Sequence, residues 1–463
     1  MLRRLLATSV ALGALLSPFL AAAQSETESD RMRAMEDRLR SLEARLEQSE
    51  QVIEQQRAAL GTSGGADVSQ GSAIDAFLSS VEVGGSVTAS YTYSFNNPET
   101  SPSSQTLCQF NCNHNEFSLD AFKLELGKKA PNPGDVGFQF DLLLGRNAGI
   151  FNQLSPDIAS FINPAVQTTA DRSAADTELF VQEAYLSYNM NGVELKAGKF
   201  ETPLGFEVID SNDNPNVTHG ILFTFAIPLF HTGVLASGNI SEELSWAAGL
   251  TNGFNNTRET GDDKAVLGRL AYTSGPLFLA YNLYYGTLGE VRTSTGSGAL
   301  VGDNAVKTQI HDVILQYTPS DSFTTWINAD YGKTERRPES TGALFNDQGT
   351  DPTFFGVAIG AKQKLSDKLY VAARGEYMND DNASRFGALF TGGVAPFDFD
   401  EIDVYSATLT LGYQIQPNLL TRLELRRDKV DCDSPSCAVF RDSSNGGTEK
   451  NDFGIVELVY SFD

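Results

Sequence analysis

The chain has 463 residues, a formal net charge of −25 at pH 7, and 41% hydrophobic residues. A nucleic-acid-binding protein needs a basic surface, so this acidic balance excludes nucleic acid as a partner. The chain also contains 41 glycines, 29 phenylalanines and 15 tyrosines but only two tryptophans. Frequent glycine and many aromatic rings are typical of a β-barrel that lies in a lipid bilayer.

The first 23 residues have the pattern of a secretory signal peptide. Arg3 and Arg4 precede an apolar run over residues 5–20, which ends in three alanines before Gln24. A membrane anchor is the alternative interpretation, but small residues follow the run where an anchor would carry charges. We therefore expect residues 1–23 to be removed on export.

Residues 24–60 are predicted to form a periplasmic α-helical coiled coil. Apolar residues recur at alternating intervals of three and four between charged residues, a heptad pattern sustained for about four heptads. The alternative is a helix lying on the membrane, but its polar face would then be rich in Lys and Arg, and here it is mixed. The pattern therefore favours self-association of the helix. Glycines after Leu60 predict that residues 61–76 form a flexible linker. The seam is formed by Met32, Met35, Leu39, Leu42, Leu46, Ser49, Ile53, Gln56 and Leu60.

Residues 77–463 alternate apolar and polar side chains with a period of two, which predicts an all-β fold. From Val83 to Phe95, one face of the first strand is mostly apolar and the other is mostly serine and threonine. Seven short turns rich in Gly, Pro, Asn, Asp or Ser separate eight long polar segments. Fifteen connections predict an antiparallel transmembrane barrel of about 16 strands, with fourteen or eighteen left open.

A barrel of this size is too wide for its own side chains to fill, so we expect a water-filled channel. The only material before the first strand is the coiled coil and linker, and the sequence therefore indicates no plug domain. Charges on the predicted inner face have interleaved signs, as in a diffusion pore. The pore-lining candidates are Lys196, Arg269, Asp330, Arg374, Glu376, Arg422 and Glu424.

The third long segment, residues 201–230, combines acidic residues with an apolar stretch over residues 221–230. Large apolar patches are rarely left in water, so the segment is expected to fold into the barrel and narrow the pore. The alternative is that the sixth strand begins early, near Ile221. Both hold if the acidic half lies inside and the apolar half belongs to the wall. The constriction candidates are Glu201, Glu207, Asp210 and Asp213.

Three short motifs carry a family resemblance: residues 180–185 (FVQEAY), residues 198–207 (GKFETPLGFE) and residues 231–233 (HTG). Together with the general layout, they resemble the "putative β-barrel porin" family of Gram-negative outer membranes, to which the phosphate-selective porins O and P are related. The resemblance implies a passive channel that forms a homotrimer. Phosphate selectivity is not implied, because this chain has 34 basic against 59 acidic residues. The terminal Asp463 also departs from the family's aromatic ending.

No pattern in the sequence predicts an enzyme, a cofactor or a metal site. The four histidines are dispersed, and His311 is predicted to lie on the inner face without a paired serine. The four cysteines occur as two close pairs in long loops, Cys108 with Cys112 and Cys432 with Cys437. In an oxidising compartment each pair predicts a disulfide, while pairing between the first and last loops remains an alternative.

We therefore expect an outer-membrane porin for small hydrophilic solutes and ions. The competing class is a structural tether, in which the barrel is only an anchor and the coiled coil binds peptidoglycan or a periplasmic partner. Outer-membrane lipid and lipopolysaccharide are the expected surroundings of the barrel, with the C-terminus on the periplasmic side. A conducting channel in a planar bilayer would distinguish the porin from the tether.

Overall fold

The computed structural model describes residues 79–98, 107–108, 110, 113–154, 179–257, 263–290, 293–294, 300–301, 305–335, 351–381, 385–386, 401–434, 437–444 and 446–462. The predicted signal peptide, coiled coil and linker lie outside these residues, as do Cys112 and Asp463. Within the described part of the chain, no helix is long and apolar enough to cross a membrane.

Sixteen antiparallel strands form a closed barrel in which each strand pairs with its neighbours in the chain, and the last strand pairs with the first. The predicted number of sixteen strands is confirmed. In chain order the barrel strands are β1 (Glu82–Ser94), β2 (Glu116–Lys128), β3 (Val136–Leu144), β4 (Leu179–Met190), β5 (Val193–Glu201), β6 (Phe230–Asn239), β7 (Leu244–Thr251), β8 (Ala265–Ser274), β9 (Leu277–Glu290), β10 (Ala305–Ser320), β11 (Phe323–Thr334), β12 (Thr353–Lys364), β13 (Leu369–Asp381), β14 (Glu401–Gln416), β15 (Leu419–Asp431) and β16 (Lys450–Phe462).

Closure leaves no unpaired strand edge. β1 runs antiparallel to β16, with Gly85 opposite Phe462 and Tyr93 opposite Gly454. In the lipid interior an unpaired backbone N–H or C=O cannot be satisfied by water, which is why a spanning sheet must close. An even number of strands also returns the C-terminal end of β16 to the end of the barrel where β1 begins.

The period-two pattern places polar side chains inside and apolar side chains outside. On β1, Ser86, Thr88, Ser90, Thr92 and Ser94 are all buried towards the lumen. On β16 the outward side chains Val456, Leu458 and Tyr460 are about half exposed, whereas Glu457 between them is fully buried. The outer face therefore offers apolar surface to lipid acyl chains.

The predicted inward position of His311 is wrong. Its neighbours on β10, Ile310 and Asp312, are fully buried towards the lumen, so His311 faces outwards. There its Nδ1 lies 2.7 Å from the hydroxyl of Tyr281, and its ring lies 6.2 Å from that of Tyr331. The error arose because the inner face of β10 carries apolar residues as well as polar ones.

The connections divide by length between the two ends of the barrel. Seven short connections lie at one end, which we call the turn end, and eight long connections lie at the other, which we call the loop end. Between β4 and β5, Asn191 and Gly192 have φ values of 54° and 92°. Positive φ at both central residues is the requirement of a type I′ turn, one of the two-residue hairpin turns that match strand twist.

At the loop end, the first, second and last long connections fold inwards and contribute to the buried core. A helix, α1 (Arg146–Leu154), follows β3, and its Phe151 packs on Phe180 and Phe110. A disulfide links Cys432 to Cys437, with the two Cα atoms 6.0 Å apart. This bond contradicts the alternative pairing between the first and last loops.

Candidate functional site

The connection between β5 and β6, residues 202–229, enters the barrel and crosses its lumen; we call it the inner segment. It includes a short 3-10 helix, Ser211–Asp213, and a π-helical turn, Leu222–Ala226. Its polar atoms contact the walls at β2, β10, β11, β13, β14, β15 and β16. β5 and β13 are eight strands apart in a ring of sixteen, so the inner segment reaches the opposite wall.

The apolar half of the inner segment lies inside the barrel, which corrects the prediction that it forms part of the wall. β6 begins only at Phe230, and Leu222, Phe225 and Ile227 are buried in the largest apolar cluster. A Cβ added at Gly356 on β12 would lie 2.7 Å from Cδ2 of Leu222. The small residue on the inner wall thus leaves room for the leucine that packs there.

Arg374 on β13 anchors the middle of the inner segment. Its guanidinium pairs with the carboxylate of Glu207, its Nε lies 3.0 Å from Glu376, and its Nη1 donates to the Thr218 carbonyl over 2.8 Å. The side chains of Arg374 and Glu376 are each 1% exposed. A buried charge pair persists only when its remaining donors and acceptors are also satisfied, which the Thr218 carbonyl helps to do.

Arg422 on β15 holds the 3-10 turn and the residues after it. Its Nη1 donates to the carbonyls of Ser211, Asn214 and Asn216 over 2.9, 3.0 and 3.2 Å, and its Nε lies 2.5 Å from Glu457. One guanidinium therefore binds three backbone carbonyls of the inner segment. The planar fork of arginine suits this arrangement better than the point charge of lysine.

Arg426, four residues further along the same face of β15, repeats the arrangement at His219. Its Nη1 donates to the His219 carbonyl over 2.7 Å, and its Nε lies 2.8 Å from Asp428. The ring of His219 donates to the carbonyls of Val208 and Ile209. Burial lowers the pKa of His219 to about 4, so its ring is neutral at pH 7 and adds no charge beside the arginine.

Glu424 supplies the negative counterpart between the two arginines. Its carboxylate accepts the backbone N–H groups of Val217 and Thr218 over 2.6 and 3.0 Å. It also accepts the hydroxyls of Thr218 and Thr410 over 2.5 and 2.6 Å. An ionised carboxylate can accept four hydrogen bonds, and here all four come from donors that are buried.

Around Lys123, on the wall formed by β2 to β5, acidic residues outnumber bases. Lys123 on β2 lies 2.6 Å from Glu125, 3.4 Å from Asp141 and 2.5 Å from Asp210. The amide nitrogen of Gln182 donates to Glu201 over 2.6 Å and to Asp210 over 3.1 Å. Among the described residues of this group, one cation thus serves several carboxylates.

The structure places all seven pore-lining candidates on the lumen face, but in two different environments. Asp330, Arg374, Glu376, Arg422 and Glu424 are buried, the last four against the inner segment. Lys196 and Arg269 are only partly covered. Of the constriction candidates, Glu201 ends β5, Glu207 and Asp210 pair with Arg374 and Lys123, and Asp213 is exposed.

Carboxylates are prominent among the partly accessible side chains of the described lumen. The side chains of Glu125 and Glu194 are 41% and 43% exposed, and Asp213 is exposed as well. Lys196 is 24% exposed, whereas the arginines of β13 and β15 that face the inner segment are almost completely covered. Arg269 and Lys362 are partly covered as well, so ions in the lumen meet both signs of charge along these surfaces.

Several anchoring residues were not recognised in the sequence. Glu457, Thr410 and Asp312 are fully buried and bind Arg422, Glu424 and the backbone N–H of Gly205, respectively. The sequence shows only that each of these residues is polar and at an inward position of a strand, and this pattern does not identify the residue it binds. Within the described ranges, no group of three or more His, Cys, Asp or Glu residues could hold a metal ion.

Residues 80–462 match the protein family described as "Putative beta-barrel porin-2, OmpL-like". Among solved structures, the barrel is similar to the anion-selective porin from Comamonas acidovorans, at 11% identity and a TM-score of 0.52, over 83% of this chain and 99% of that one. It is also similar to OprB of Pseudomonas putida, at 12% identity and a TM-score of 0.50, over 85% and 97% of the two chains. At such identities the likeness concerns the fold alone. No curated protein sequence matches the chain.

Proposed function

The chain belongs to the OmpL-like family of β-barrel porins and is an outer-membrane channel for passive diffusion in Gram-negative bacteria; we propose that small hydrophilic solutes and ions pass through it. We further propose that the channel has a weak preference for cations. The observation that carries the cation preference is the uneven exposure of charge in the lumen. Glu125, Glu194 and Asp213 are accessible, whereas Arg374 and Arg422 are covered.

A lumen lined by one sign of charge, with walls of low dielectric constant, concentrates ions of the opposite sign. The buried arginines add little to this potential because each has a carboxylate partner. Lys196 opposes the carboxylates, which limits the preference. Since the accessible groups are wet, salt screens them over about 10 Å at 0.1 M, and the preference should fade as the salt concentration rises.

The reversal potential of the purified protein in a planar bilayer under a KCl gradient tests this proposal. We expect a potential with the sign of potassium preference, reduced in Glu125→Gln and Asp213→Asn. Asp367→Asn is the matched control, because Asp367 is exposed on the turn between β12 and β13. An anion-selective wild-type channel at low salt would contradict the proposed preference, although the chain would still be a channel.

We also propose that the chain assembles as a homotrimer, with the coiled coil over residues 24–60 contributing to assembly on the periplasmic side. The heptad pattern of that region supports this. The apolar outer face of the barrel supports contact with outer-membrane lipid and lipopolysaccharide. A more distant relation to the phosphate-selective porins O and P, and binding of peptidoglycan, remain proposals from sequence.

A further inference from the structure

A cavity of about 240 Å³ lies between the start of the inner segment and the wall formed by β8, β9 and β10. Its lining is mixed, and the apolar part includes Phe206, Phe278 and Ile314. Phe206 is held in place by stacking on Trp326, with ring centroids 4.5 Å apart. The volume is below the roughly 300–1,000 Å³ of pockets for drug-sized ligands, so the cavity suits a smaller solute.

Arg269 provides the positive group of this cavity. Its Nη1 donates to the Pro203 carbonyl over 2.6 Å, and its guanidinium lies 5.7 Å from the centre of the Phe278 ring. Arg269 has no salt bridge to any described residue. Asp312 is the acid whose charge acts on Arg269, and its oxygens already accept the amides of Asn282 and Asn328.

Glu201 provides the carboxyl group of the same cavity. Its Oε1 accepts the amide of Gln182, and no described Lys or Arg forms a salt bridge with it. The other acid in the lining, Glu207, is already paired with Arg374 and also accepts the Gly220 N–H. The cavity therefore combines one guanidinium and one carboxyl group, neither with a salt-bridge partner among the described residues, with apolar side chains beside them.

From this combination we infer that the cavity is a binding site for a small zwitterion with an apolar side chain, such as an α-amino acid, on its way through the channel. The carboxylate of the solute would pair with Arg269 through the N–H groups that Pro203 does not use, and its ammonium would pair with Glu201. A solute with a single charge leaves one of the two groups desolvated without a partner, which costs binding free energy. The inference rests on the proposed channel function, since the solute must reach the lumen.

The test is the effect of L-leucine on the potassium current of the wild-type protein in a planar bilayer. We expect leucine to reduce the current in a saturable way. 4-Methylpentanoate lacks the ammonium group and 3-methylbutylamine lacks the carboxylate, so each should require at least about tenfold higher concentration for the same effect. This comparison uses only the wild-type protein and does not depend on the folding of a variant.

Arg269→Gln and Glu201→Gln should each raise the half-blocking concentration of leucine at least about tenfold. The matched controls are Lys129→Gln and Glu82→Gln, an exposed pair at the turn end, which should leave it unchanged. A conducting wild-type channel that leucine does not affect, or one blocked equally well by the amine alone, would overturn the inference but not the channel function. A protein that does not conduct would instead contradict the function on which the inference rests.

Discussion

Glu207, six residues beyond the end of β5, forms a buried ion pair with Arg374 on β13, on the opposite side of the sixteen-stranded ring. The pair joins the two walls through the inner segment. Arg422, Glu424 and Arg426 extend this contact along β15 by binding backbone groups of residues 211–219. The position of the inner segment is therefore set by buried charges.

Glu207→Gln should weaken this attachment and make the channel less cation-selective. Removing one partner of a buried pair typically costs about 3–5 kcal/mol, because the remaining charge is left uncompensated. Arg374 would keep Glu376 as a partner, so we expect the lower end of this range. The reversal potential should shift towards anions, and the temperature at which the barrel unfolds on a semi-native gel should fall.

The control for this variant is Glu82→Gln, which removes the exposed partner of Lys129. Exposed pairs contribute about 0–1 kcal/mol, so neither the unfolding temperature nor the selectivity should change measurably. Equal behaviour of Glu207→Gln and Glu82→Gln would show that the pair across the lumen does not hold the inner segment.

Lys199→Met should stabilise the barrel. The Lys199 ammonium lies 3.8 and 4.0 Å from the ring centres of Phe180 and Phe230, with no salt bridge to a described residue. Methionine keeps the length of the side chain and packs between the rings without the desolvation cost of a charge. We expect the free energy of unfolding to rise by about 1 kcal/mol or more.

Lys199→Gln serves as the comparison, since it removes the charge but leaves a polar amide between two aromatic rings, and it should be less stable than Lys199→Met. Both are measured as the unfolding temperature on a semi-native gel. A Lys199→Met protein that is less stable than Lys199→Gln would mean that the lysine charge makes a contact worth more than its desolvation.

Peptide mapping without reduction should recover Cys432 linked to Cys437, as in the structure. Cys108 is also disulfide-bonded, and we predict Cys112 as its partner because the close spacing leaves each pair within one loop. A peptide that joins Cys108 to Cys437, or free thiols in the exported protein, would contradict this assignment.

Deletion of residues 24–60 should lower the fraction of trimer on a semi-native gel while leaving the barrel folded. The described barrel closes on itself from β1 to β16, so we expect it to fold without these residues. If the full-length protein runs as a monomer in mild detergent, the proposed role of the heptad seam in assembly is wrong.

The strand number was predictable because the information for each strand is local. Alternation on one strand and turn residues such as Asn191 and Gly192 specify a hairpin without reference to the rest of the chain. The entry of the acidic half of the third long segment into the barrel was expected, but the same apolar residues also fitted an early start of β6, and the sequence did not distinguish the wall from the lumen for them. His311 was misplaced because Ile310 and Ile314 are inward-facing apolar residues, which weakens the polar-inside rule on β10.

The contacts of the inner segment were not predictable, because they join residues far apart in the chain. Val217 and Glu424 are separated by 207 positions, and Glu207 and Arg374 by 167. An inward arginine on a β-barrel strand can line water or bind a buried segment, and its local pattern is the same in both cases. Only the three-dimensional structure distinguishes the two environments.

Single-channel conductance of wild-type protein and of Glu424→Gln tests the central claim most directly, namely that the anchored inner segment controls passage through the channel. Wild-type protein should give discrete steps. The Glu424 carboxylate accepts four hydrogen bonds from the inner segment and Thr410. In Glu424→Gln the amide NH2 group would face some of these donors and could not accept their hydrogen bonds. We therefore expect the inner segment to detach from β15. The steps of Glu424→Gln should be larger and more variable than those of the wild type and of Glu243→Gln, a control on an exposed turn. Identical conductance in all three proteins, or no steps in the wild type, would contradict the claim.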